Sequence, residues 1–188
     1  MLLTKPYNRD RAVEYARRWA LERNPLFENF AGIGGDCTNF VSQSVLAGGC
    51  VMDYTPTFGW YYLSPTDRAP AWTGVEYFFE YMTGQGDFTP PQTRIGPFGE
   101  RVSDMRADVG DVVQLANEEG DFYHSLLITD FSGGDILVTA HTNDALDRPL
   151  SSYNYSARRI IHITGFRVEY PDDACFDDLI NAVSLPQI

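Results

Sequence analysis

Apolar residues recur at helical spacing in the first quarter of the chain and at strand spacing in the last half. Ala12, Val13, Ala16, Trp19 and Ala20 form one stripe, with Arg9, Arg11, Glu14, Arg17, Arg18 and Glu22 mostly on other faces. Residues 8 to 23 therefore predict a helix, which Asn24-Pro25 ends. Phe40, Val41, Ser44, Val45 and Leu46 predict a second helix from about 37 to 47, stopped by Gly48-Gly49. From residue 106 the period shortens. Val109–Leu115, His124–Thr129, Ile136–His141 and Arg159–Val168 predict four strands. Their connections are short and rich in Gly, Asp and Asn, which implies hairpins and an antiparallel sheet. Helices first and a strand meander afterwards make an α+β chain.

Residues 50 to 105 interrupt this order. Tyr54 to Tyr62 and Ala69 to Gly74 are dense in aromatics and turn formers. Val75, Phe78, Phe79 and Met82 predict a short helix starting near Trp72 or Thr73, and a Gly- and Pro-rich loop follows from 84 to 99. The segment reads either as a loop folded over the core by its own aromatics or as one wall of a substrate cleft, the latter favoured. The acidic tail from Asp172 to Asp178 carries a weak signal for a last short helix. Residues 1–188 read as one domain with a core at about 7–168 and this aromatic insertion at about 50–105.

Charge narrows the partners. With a net charge of −12 and a pI of about 4.5, the surface repels phosphate backbones and anionic lipid, so neither nucleic acid nor membrane is expected. Three cysteines (Cys37, Cys50 and Cys175) cannot all pair within the chain. So low and odd a count argues against a disulfide framework and suits a reducing compartment. No basic leader opens the chain, and no apolar run approaches the ~20 residues of a membrane span. The expectation is a cytoplasmic protein, or a secreted or cell-wall one if the sequence is a domain excised from a longer parent.

The candidate chemistry begins at Gly34-Gly35-Asp36-Cys37-Thr38-Asn39-Phe40-Val41. Gly-Gly permits a sharp entry into the helix, and Asp36 is an N-cap residue type. Cys37 then sits in the first turn, where the helix macrodipole favours thiolate and an apparent pKa well below that of a free cysteine is expected. A thiolate nucleophile needs a base, and the base needs an orienting partner. His124 opens one strand and His141 closes the next. If Ser132-Gly133 is the turn between them, His124 lies opposite His141 with Cβ atoms ~5 Å apart. If Gly133-Gly134 is the turn, His124 faces Asn143. Both registers place His141 and Asn143 on the same face as His124. His124 is thus the expected base, with His141 preferred and Asn143 second as orienting residue. A zinc site of Cys37, His124, His141 and water is the minor alternative; no cofactor is expected. His162, in an apolar strand, reads as structural, and Cys50 and Cys175 as structural or incidental.

Tyr7-Asn8-Arg9-Asp10-Arg11-Ala12-Val13-Glu14-Tyr15-Ala16, Arg23-Asn24-Pro25 and Gly35-Asp36-Cys37-Thr38-Asn39-Phe40-Val41-Ser42-Gln43 resemble the bacterial "putative amidase domain" family. That family is similar to the NlpC-like and CHAP-type branch of papain-fold cysteine hydrolases. Gly110-Asp111-Val112-Val113-Gln114, His124-Ser125, His141-Thr142 and Arg148-Pro149-Leu150 continue the likeness over about residues 7 to 165. The resemblance implies a papain-like fold and a triad of Cys37 as nucleophile, His124 as base and His141 as orienting residue. It also implies hydrolysis of a peptide or amide substrate, often a peptidoglycan peptide. The alternative is a non-catalytic peptide- or sugar-binding module that uses Phe58, Trp60, Tyr61, Tyr62 and Trp72.

Overall fold

A computed structural model describes all residues except 89, 172, 173, 187 and 188. Two helices lead: α1 (Arg9–Trp19), capped by the Asn8 side chain on the Arg11 N–H at 3.1 Å, and α2 (Cys37–Ala47). The insertion supplies the short β2 (Tyr62–Ser64) and β3 (Asp67–Arg68), then α3 (Pro70–Thr73) and α4 (Val75–Thr83). The predicted meander appears as β5 (Val112–Ala116), β6 (Phe122–Ser132), β7 (Asp135–Ala140) and β9 (Ala157–Val168), and α5 (Cys175–Ile180) follows. Three strands of the main sheet carry no clear period: β1 (Leu3–Pro6), β4 (Gly96–Val102) and β8 (Ala145–Pro149). β1 is only four residues long, and β4 contains two glycines and a proline, residues that weaken a strand signal.

The sheet is curled and antiparallel, in the order β1-β9-β5-β6-β7-β8. Long β9 organises it. β5 and β1 pair successive stretches of one edge, and β4 pairs the other. One face, carrying Val112, Leu127, Ile161 and Ile163, packs against α1, α2, α4 and α5 in the larger core. The opposite face, with Val113, Leu115, Leu126, Ile128, Val138 and Ile160, forms a smaller core closed by Leu150 and Tyr153. All eleven residues of α2 are buried, which makes it the central helix. The α+β class is as expected.

Two expectations change. Trp60, Trp72 and Tyr62 belong to the larger core instead of a cleft wall, with Trp60 Nε1 donating to Ser42 Oγ (3.1 Å) and Trp72 Nε1 to Asn39 Oδ1 (2.9 Å). Buried indoles need such acceptors, and α2 provides them. Cys50 and Cys175 are also joined, with Cα atoms 5.5 Å apart, leaving Cys37 as the free cysteine. An odd count excludes complete pairing, not one bridge. The bridge ties α5 to the end of α2 across 125 residues of sequence. A loop of that size implies about 5 kcal/mol of stabilisation on the chain-entropy account. Cys50→Ala/Cys175→Ala protein should therefore melt on the order of 10 °C lower than wild type, as read by calorimetry.

Candidate active site

Cys37 is the first residue of α2, as its sequence context predicts, and it is buried. The backbone N–H groups of Cys37, Thr38 and Ser125 lie near enough to the sulfur to favour its thiolate, and Thr38 Oγ1 lies 3.8 Å away. Thr38 Oγ1 is 3.0 Å from Ser125 Oγ, to which Gln114 Nε2 also donates (3.1 Å). Ser125 faces α2 because it stands two residues before Leu127 on the larger-core face of β6. Thr38, Gln114 and Ser125 were not apparent as site residues. Their signal is the placing of polar residues inside otherwise apolar helix and strand runs.

Burial dominates the sulfur's electrostatics. It pushes the Cys37 thiol above its ordinary value despite the three N–H donors. The expected low pKa is therefore corrected: helix position favours thiolate, but loss of water costs the thiolate more. Asp36 also departs from expectation, since its side chain does not cap α2. Its buried carboxylate accepts from Phe30 N–H (3.1 Å), Asn39 Nδ2 (2.7 Å) and His141 Nδ1 (2.7 Å).

The hairpin that was to unite the histidines slips. Ser132 pairs with Asp135, Phe131 with Ile136 and Asp130 with Leu137, as a Gly133-Gly134 turn requires. Beyond a bulge at Thr129 the register moves by one, so Ile128 pairs with Val138 and Leu127 with Thr139. A one-residue slip exchanges the faces of a strand. His124 consequently shares the face of its partner Leu115, toward the smaller core, whereas His141 turns toward Asp36 and α1. The expected pairing of His124 with His141 is not formed. Asn143 does not replace it, lying beyond β7 in a turn where Thr142 and Asn143 both have positive φ. Nor do Cys37, His124 and His141 converge as zinc ligands: among the described residues no group of three or more His, Cys, Asp or Glu is placed to hold a metal ion.

The three histidines have different surroundings. His141 Nδ1 meets Asp36 and its Nε2 meets the Trp19 carbonyl at 2.8 Å. His162 Nδ1 meets Asp111 Oδ2 at 2.8 Å, with Arg9 against the ring, so the strand that looked wholly apolar carries a polar knot. Buried Asp111 also accepts from Arg9 (2.7 Å) and the Ile163 N–H (3.2 Å). His124 makes no hydrogen bond among the described residues. Its ring lies near those of Tyr123 and Tyr153, both at 6.2 Å between centroids. Burial, helped by the positive charge of Arg148, lowers its pKa to about 4. At neutral pH the Cys37 thiol is protonated and His124 unprotonated. Beside it, Tyr123, Asn154, Tyr155, Asn117 and Glu118 line an open cleft of about 290 Å³.

This shift has a sign in stability. The unfolded histidine takes up a proton near pH 6.5 and the folded one near 4. Between those values the unfolded state binds more protons, so folding weakens as pH falls through the window. Wild type should lose roughly 2–3 kcal/mol more than His124→Gln between pH 7 and pH 4. Urea titrations of both proteins at the two pH values measure the difference.

A family model described as "Putative amidase domain" matches residues 6–164. The chain is also 30% identical over 144 residues to the uncharacterized protein YhbB of Bacillus subtilis (strain 168), covering 74% of this chain and 42% of that protein. It thus spans less than half the length of that relative. No solved structure matches it. The match of residues 6–164 encloses Cys37, His124 and the network around them, and the chain belongs to the amidase domain family.

Proposed function

We propose that this amidase-family chain is a cysteine-dependent amide hydrolase in which Cys37 is the nucleophile and His124 the proton carrier. One observation carries the reading. His124 is the histidine with no hydrogen-bond partner among the described residues, and the next residue, Ser125, has its N–H near the Cys37 sulfur and its hydroxyl on Thr38. The other two histidines are occupied by carboxylates and cannot serve as a base without breaking buried bonds.

In the resting protein both groups are neutral, a protonated thiol and an unprotonated imidazole. As sulfur attacks the amide carbonyl, His124 takes the thiol proton and the carbonyl oxygen becomes an oxyanion. The backbone N–H of Cys37, at the helix terminus, and that of Ser125 are the candidate donors to this oxyanion. His124 then gives its proton to the nitrogen as the C–N bond breaks, leaving a thioester and a free amine. Water attacks the thioester while His124 takes a proton from it. The products are a carboxylic acid and the restored thiol. A peptide of the peptidoglycan type is the proposed substrate class, and the fold proposed for this chemistry is the papain-like one of the NlpC-like hydrolases. The Cys50–Cys175 bridge supports an oxidising setting outside the cytoplasm in place of the cytoplasmic one expected from the cysteine count. The binding-module alternative loses its main support because Trp60, Tyr62 and Trp72 are core residues.

Incubation with muropeptides, read by mass spectrometry, should release a new amine and carboxylate. Cys37→Ala should reduce the rate roughly 10⁴-fold or more with the melting temperature retained. Turnover persisting in that variant would refute the nucleophile assignment.

A further inference from the structure

Both ring nitrogens of His141 face acceptors: Asp36 Oδ2 at 2.7 Å and the Trp19 carbonyl at 2.8 Å. A neutral imidazole has one N–H and can satisfy one of them; two N–H donors require the imidazolium. Placing the extra proton on Asp36 is opposed by the three other donors that converge on its carboxylate. Its Oδ1 already accepts from Phe30 N–H and Asn39 Nδ2, and its Oδ2 lies 3.3 Å from Arg23 Nε as well as against His141.

The surroundings suit a cation. Trp19 is the last residue of α1, so its carbonyl is at the negative end of that helix. Phe40 stacks on the imidazole at 4.0 Å between centroids, with 24° between planes. The charges facing the ring from its neighbours are Asp36 before α2, Arg23 after α1 and Asp144 after β7. Arg23 pairs with Asp144 at 2.8 Å. With His141 charged, the cluster holds two cations and two anions; with it neutral, a negative charge is left uncompensated. Tyr15, raised by burial, adds no charge.

The cluster reaches the nucleophile through one peptide bond. Asp36 precedes Cys37, and its own N–H donates to Thr142 Oγ1 at 2.9 Å. His141 and Thr142 thus grip both the side chain and the backbone of the residue before the nucleophile. We propose that His141 is a positioning residue, a buried imidazolium that fixes Asp36 and so the Cys37 turn, in place of an orienting partner for His124. The proposal rests on Cys37 being the nucleophile.

The test is long-range proton–nitrogen NMR of the ¹⁵N-histidine protein at pH 7.5, alongside muropeptide turnover. His141 is assigned by its loss in His141→Gln or, if that variant does not fold, by elimination with His124→Gln and His162→Gln. Two protonated nitrogens are expected for His141. In folded His141→Gln, turnover should fall roughly tenfold to a hundredfold, while the acid limb set by His124 stays in place. A single protonated nitrogen in His141 at that pH, or full turnover in His141→Gln, would overturn the proposal. Failure of the hydrolase reading looks different: wild type would not turn over, yet the imidazolium signal would be present.

Discussion

Asp36 is completely buried beside the nucleophile, and a carboxylate in that position must be met by donors from every side. Satisfying it determines much of the local architecture. The Phe30 N–H fixes the loop that enters the turn, Asn39 fixes the first turn of α2, and His141 brings in the end of β7. His141 in turn reaches the last carbonyl of α1. One side chain therefore joins two helices and the sheet at the residue before Cys37. Replacing it with an apolar residue would leave several donors without acceptors, a larger penalty than the loss of any one bond.

The same device occurs a second time. Asp111, at the entry to β5, collects Arg9 from α1 and His162 and the Ile163 N–H from β9. Each knot consists of a buried carboxylate, a histidine and an arginine, and each secures an end of α1 to the sheet. Asn24 adds a neutral version, donating to Tyr15 Oη (2.9 Å) and the Leu179 carbonyl (2.8 Å), while Tyr15 donates to Gln43 (2.8 Å). Most polar residues in the blocks that resemble the amidase family thus hold elements together. Cys37 and His124 are the ones left with unspent chemistry.

Elements whose burial repeats along one face were legible in the sequence: α1, α2 and the four strands β5, β6, β7 and β9. β1, β4 and β8 were not, because they are short, or interrupted by Gly and Pro, and gain their stability from β9 and β7 instead of from a pattern of their own. The cysteine block was legible through the glycine turn and the apolar run behind it. The relation between the histidines was not. A bulge at Thr129 leaves no trace in residue type, yet it reverses which face His141 occupies. The disulfide was hidden for a similar reason. Cys50 and Cys175 lie 125 positions apart and meet only once α5 folds against α2.

The electrostatics of Cys37 and His124 follow from where these constraints leave them. Both are buried, so each is driven toward its neutral form, the thiol upward and the imidazole downward. A preformed thiolate–imidazolium pair would need its charges solvated or compensated, and the nearby cation, Arg148, opposes the imidazolium. In the proposed mechanism the pair would therefore resemble a serine–histidine couple more than an activated thiolate, with the proton moving as the carbonyl is attacked. A thiol held in its neutral form should react slowly with small electrophiles. A neutral thiol is also less readily oxidised than a standing thiolate, which matters if the proposed oxidising setting holds.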